Sequence, residues 1–192
     1  MSYILTFSGK KFTPLNPQIE DICIEDIAHH LSNICRFTGA TRSFYSVAQH
    51  SIMVAEMIGM MNYSDKMKLQ LQQFALLHDA SEAYLCDIAR PLKYSGLFDE
   101  YLIIEKKLQD MIYQKFCDSV PYPKERNIIS NFDNLALERE GKHLIKNWEC
   151  LNIGEGIIEI FEKLYLTPIK LMTFTQAKEM FLRHYRHLFG VI

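Results

Sequence analysis

From residue 24 onward the apolar residues of this chain recur at helical spacing, which commits the fold to packed helices. Ile24, Ile27, Ala28, Leu31 and Ile34 form one stripe, ending before Gly39. Ser46-Val47-Ala48-Gln49 has the form of a capping box and opens a helix that turns Val47, Val54, Met57, Ile58 and Met61 inward. Asn62-Tyr63-Ser64-Asp65 reads as a turn and N-cap, after which Met67, Leu71, Phe74, Ala75 and His78 share a face. The regularity lapses from Ala80 to Gly96, around Pro91. Leu97, Tyr101, Ile104, Leu108, Ile112 and Phe116 then predict a long amphipathic helix. Pro121 and Pro123 separate it from another helix, marked by Ile128, Ile129, Phe132, Leu135 and Ala136. Residues 150–172 are ambiguous, with Gly154 and Gly156 as breakers and Pro168 before an extended segment. Thr173 to Leu188 closes the chain as a helix, with Gly190 just beyond it. Only residues 3–14 alternate, breaking at Ser8-Gly9-Lys10 as a small β-hairpin does. The expectation is one all-α domain over residues 1–192, with an N-terminal hairpin and a C-terminal helix at about 173–189.

Charge narrows the function. The 21 basic residues nearly balance the 23 acidic ones, and neither sign forms a long block. Binding to nucleic acid or to an anionic membrane through bulk charge is therefore not expected. No apolar run approaches the ~20 residues that span a bilayer. The opening MSYILTFSGKKFT lacks the apolar region and cleavage site of a signal peptide, so a cytoplasmic protein is expected. Five scattered cysteines without a C-x-x-C pair read as reduced, mostly buried thiols.

Two histidines stand on inward stripes: His50 with Val47, Val54 and Met57, and His78 with Leu71, Phe74 and Ala75. One such histidine is usually a hydrogen-bonded core residue. Asp79 beside His78 shifts the balance, because a carboxylate at that depth is costly without a cation or several donors. Asp133 repeats the anomaly among Ile129, Phe132 and Ala136. Imidazoles and carboxylates facing one interior suit zinc, manganese, iron, cobalt or magnesium. Spacing alone leaves a metal site and buried ion pairs equally open.

The pattern His50, His78-Asp79, Asp133 resembles the H…HD…D signature of the HD-domain metal-dependent phosphohydrolases, a helical-bundle family. The flanking Tyr45-Ser46-Val47-Ala48-Gln49-His50-Ser51 and the stretch HDASEAYLCDIARPLK from His78 to Lys93 strengthen the likeness, which covers about residues 24–140. The nearest branch is similar to the small bacterial 5′-deoxynucleotidases and the related phage deoxynucleotide triphosphohydrolases. The resemblance implies that His50, His78, Asp79 and Asp133 hold one divalent metal (zinc, cobalt, manganese or magnesium), with room for a second that arrives with substrate. It implies Glu82 as the group that orients or deprotonates the attacking water, with Asp87 beside it. Arg36, Phe37, Arg42, Arg90 and Lys93 become substrate contacts. Arg36-Phe37 is similar to an Arg-Trp pair of the deoxynucleotidases, but Phe replaces Trp and the spacing to His50 is one residue shorter. That departure leaves the choice of nucleotide open.

Four bases near the metal segments would offset a triphosphate, so the expected activity leans to a dATP triphosphohydrolase. A 5′-deoxynucleotidase acting on dNMPs is the close alternative. A cyclic- or signalling-nucleotide phosphodiesterase would carry extra metal histidines, for which only His29 and His30 are available. A non-enzymatic binding module would tolerate a broken ligand set, which this one is not. The partner is thus a small deoxynucleotide, and related enzymes are homo-oligomers. Gly154-Glu155-Gly156 lacks the rest of a dinucleotide loop. His184 and His187 have no acid nearby in sequence and read as a solvated face. Met53, Met57, Met60 and Met61 read as core filler and as a helix–helix contact.

Overall fold

The computed structural model describes residues 3–149 and 168–191. Strands β1 (Ile4–Leu5) and β2 (Lys11–Phe12) pair antiparallel across a turn at Gly9, whose φ of +81° suits a residue without a side chain. The other elements are helical: α1 (Ile24–Asn33), α2 (Val47–Gly59), α3 (Asp65–Leu76), α4 (Glu82–Leu85), α5 (Arg90–Lys93), α6 (Asp99–Cys117), α7 (Pro123–Leu144) and α8 (Phe174–Phe189). The architecture is all-α with a small N-terminal hairpin, as the periodicity predicts. Among the described residues no helix is long and apolar enough to cross a membrane.

Helix α2 is the axis of the fold. From Val47 to Ile58 every residue but Glu56 is buried, and α1, α3, α7 and α8 pack around it. Burial on all sides explains why His50 has no exposed surface. Around α2, Ile27, Leu31, Phe74, Leu77 and Phe181 are fully buried. Each contributes roughly 1.5–3 kcal/mol through removal of apolar surface from water.

Helix ends follow the chemistry read from the sequence, with some exceptions. Ser46 caps α2 by accepting the Gln49 N–H at 3.3 Å, but the Gln49 side chain donates to Lys170 O instead of closing the box. Thr173 and Gln176 make the full reciprocal box at α8, and Gly190 ends that helix with φ +64°. Leu97 precedes α6 and is 84% exposed, so it belongs to the loop and not to the helix stripe. The irregular stretch after Ala80 holds the two single turns α4 and α5. Cys23, Cys35 and Cys117 are half-buried and Cys86 is exposed, so the described thiols are free but not core residues. Cys150 and residues 150–167, with Gly154 and Gly156, lie outside the described residues.

Gly141 near the end of α7 has a specific packing reason. A Cβ there would collide with the ring of Trp148, whose Nε1–H donates to Glu138 Oε2 at 3.1 Å. Alanine normally gains about 1 kcal/mol over glycine in a helix, but overpacking costs about 1–3 kcal/mol. Gly141→Ala is therefore expected to lower the urea midpoint and to shift the emission of Trp148, the chain's one tryptophan. A raised midpoint with unchanged emission would show the ring yielding freely.

Candidate metal centre

Three segments converge on one point: the first turn of α2, the turn after α3, and the middle of α7. Helix α3 stops at Leu76, so His78 lies in a tight turn and not on the helix stripe that its spacing predicted. Ala80 N–H bonds Leu77 O and Glu82 N–H bonds Asp79 O, both at 3.0 Å, in three-residue steps. On an α-helix, adjacent side chains diverge by ~100°. This turn instead sets His78 Nε2 and Asp79 Oδ2 3.2 Å apart.

His50 Nε2 lies 3.3 Å from His78 Nε2 and 3.1 Å from Asp133 Oδ1. His50, His78 and Asp133 each offer one ligand atom within 4.8 Å of the others, and this group could hold a metal ion. Asp79 Oδ2, at 3.6 Å from His50 Nε2, borders the same point. The outer ring nitrogens are both engaged. His50 Nδ1 is 2.8 Å from Glu140 Oε1, and His78 Nδ1 is 2.7 Å from Ala75 O.

Burial would raise Asp79, yet His78, His50 and Arg36 hold it well below the usual carboxylate range. Burial likewise raises Asp133, and its hydrogen bond and charge interaction with His50 bring it down. Burial and Arg36 oppose charge on His50, but Glu140 and Asp133 outweigh them and push it up to about 9. The cluster thus draws positive charge to its centre.

Glu82 is 6% exposed and its Oε2 is buried with no hydrogen-bond partner. Burial first, then Asp79 and Asp87, push its carboxyl well above the ordinary range. Burial also raises the half-buried Asp87, against the pull of Arg36. Glu82 and Lys93 line a cavity of about 310 Å³ together with His78 and Asp79.

The Escherichia coli (strain K12) protein YfdR, named as uncharacterized, is 43% identical over 174 residues, 88% of this chain and 88% of its own length. This chain belongs to the YfdR family. An uncharacterized Rhodobacter capsulatus protein, RCAP_rcc00048, is 36% identical over 111 residues, covering 57% of this chain and 55% of that protein. No family model matches the chain.

In this member of the YfdR family the predicted substrate residues fall into two groups. Arg36, Arg90 and Lys93 stand at the centre, each against an acid. Arg36 Nε meets Glu140 Oε2 at 3.2 Å, Arg90 Nη2 meets Asp133 Oδ2 at 2.6 Å, and Lys93 Nζ meets Glu105 Oε1 at 2.7 Å. Phe37 follows with a φ of +54°, its ring 5.5 Å from the Arg36 guanidinium and edge-on to Trp148. Arg42 is exposed, and its backbone N–H bonds Leu144 O, so the fold does not bring it into the group.

His29 and His30 serve the hairpin. His29 stacks on Phe7 at 3.8 Å, while His30 Nδ1 meets Ala83 O at 2.6 Å and Nε2 accepts the Phe7 N–H. His184, read as a solvated histidine, has an acid beside it after all: Glu56 Oε1 of α2 lies 3.1 Å away. Met53 and Met57 are buried, but Met60 is 58% exposed and fills no core.

Glu140 and Glu105 were given no role in the sequence, and Tyr45 stood only as a flank of His50. Glu140 has no exposed surface and receives the Tyr45 hydroxyl at 2.9 Å as well as His50 and Arg36. Its one legible sign was position: seven residues, or two turns, beyond Asp133 puts both on one face of α7.

Proposed function

We propose that this protein hydrolyses deoxynucleotides at the 5′ phosphate with a divalent metal, which is zinc, cobalt, manganese or magnesium. The observation that carries the proposal is the opposed pair of imidazoles. Ala75 O can only accept, and the Glu140 carboxylate, which takes the Arg36 Nε–H and the Tyr45 hydroxyl, also accepts. In its neutral form each ring therefore carries its proton on Nδ1, which leaves two Nε2 lone pairs facing each other at 3.3 Å with Asp133 Oδ1 alongside. Such a cluster of acceptors repels itself unless a cation or an added proton sits between them. Histidine and carboxylate donors with open positions suit these four metals.

When bound, the metal would supply Lewis acidity, activating a water and polarising a phosphoryl oxygen. The chain's own groups supply the rest. Glu82, unpartnered at Oε2 in the adjoining cavity, accepts the proton of the attacking water. Asp87 helps orient that water. Lys93, in the same cavity, opposes the charge that builds on the phosphoryl oxygens.

The count of four bases pointed to a triphosphate, but three of them face carboxylates and Arg42 stands apart. That pairing supports a 5′-deoxynucleotidase acting on dNMPs over a dATP triphosphohydrolase. A panel of dNMPs and dNTPs, assayed with each metal, decides between them. Orthophosphate from dNMPs without tripolyphosphate is the expected result. Tripolyphosphate from dATP would restore the triphosphohydrolase, and no release from any nucleotide would sink the proposal.

A further inference from the structure

We propose that Glu140 is a positioning residue that fixes the ring of His50 for metal binding, with Tyr45 and Arg36 holding it in place. This rests on the metal centre proposed above. A buried carboxylate is costly unless its oxygens are filled by donors. Here Oε1 receives the Tyr45 hydroxyl and the His50 Nδ1–H, and Oε2 receives the Arg36 Nε–H. Glu140 and His50 have no exposed surface, and the Arg36 side chain is only 11% exposed. These bonds are thus largely shielded from bulk water.

The arrangement has two consequences for the ligand. First, the proton of neutral His50 is confined to Nδ1, so Nε2 presents its lone pair to the centre. Second, a full carboxylate behind the ring makes that nitrogen a stronger donor than a backbone carbonyl would. His78 provides the internal contrast, because its Nδ1 faces only Ala75 O. Arg36 balances the charge of Glu140 and also reaches to 3.8 Å from Asp79 Oδ2. One guanidinium thus spans the supporting acid and a member of the cluster. On this assignment Arg36 belongs to the cradle and is not a mobile phosphate clamp.

The test compares the parent protein with Glu140→Gln, Glu140→Ala and Tyr45→Phe. Zinc affinity is read by chelator competition, and imidazole N–H signals of the zinc-loaded proteins by NMR. Glu140→Ala is expected to weaken zinc binding by about 10–100-fold. Glu140→Gln keeps a carbonyl acceptor and should recover part of that loss. Its His50 Nδ1–H signal should move upfield while that of His78 stays in place. Tyr45→Phe, the mildest change, removes one donor to Glu140 and should move the His50 signal downfield. That readout remains if the Glu140 variants do not fold. Unchanged affinity in folded Glu140 variants, or a His50 signal that ignores Tyr45→Phe, would overturn the assignment of Glu140 alone. Failure of the parent protein to take up zinc, cobalt, manganese or magnesium would instead remove the metal centre and this inference with it.

Discussion

Asp133→Ala should lose the thermal stabilisation that a divalent metal gives the parent protein. Asp133 is the candidate ligand contributed by α7, and without it only the α2 and α3–α4 segments reach the centre. A ligand that binds only the folded state stabilises it by about 4 kcal/mol at ~1000 times its dissociation constant. For a chain of this size that is a rise of ~8–16 °C, at ~2–4 °C per kcal/mol. The parent protein should show it on addition of zinc or cobalt, and the variant should not. Melting temperatures of the chelator-treated proteins separate loss of the ligand from misfolding. A metal-induced rise of equal size in Asp133→Ala would show that this carboxylate serves Arg90, 2.6 Å away, and not a metal ion.

Glu82→Gln should keep the metal and lose the reaction. Glu82 stands outside the group of ligand atoms, yet it is buried beside it with one oxygen unpartnered. Removing a general base slows turnover by about 10²–10⁴-fold. Metal content by elemental analysis should be unchanged; a fall would reassign Glu82 as a ligand.

The same variant has a pH signature in metal-free protein. Burial and the charges of Asp79 and Asp87 raise the Glu82 pKa in the folded state. Above its unfolded value the unfolded chain releases this proton first, so stability falls as pH rises until the folded pKa is passed. Glu82→Gln removes that contribution. The loss of stability as pH rises above the ordinary glutamate range should shrink, though Asp87, raised in the same direction, preserves part of it. Identical urea midpoints for the two proteins across that rise would contradict the shift.

Helix existence was legible because a 3.6-residue period survives translation into burial. Stripes such as Ile27, Ala28, Leu31 and Val47, Val54, Ile58 are the core faces they predicted. The candidate ligands His50, His78 and Asp133 were legible as polar residues where apolar ones belong. Their partners were not. Glu140 lies in Leu137-Glu138-Arg139-Glu140, which has the composition of a solvated helix face, and Tyr45 sits in a connection. Both acquire meaning only through contacts across 95 and 90 residues of chain. Glu105, the counter-ion of Lys93, is likewise hidden on an amphipathic helix.

By itself, then, the sequence determined the helices, the hairpin and the candidate ligands, since these follow from local periodicity and from polar groups out of place. The tertiary structure alone decided which charges meet. It moved His78 off a helix stripe into a turn, where adjacent side chains can converge. It set a carboxylate against each of three bases and left Arg42 outside. Charge pairing depends on distances of a few ångströms between remote segments, and one-dimensional spacing does not encode those distances.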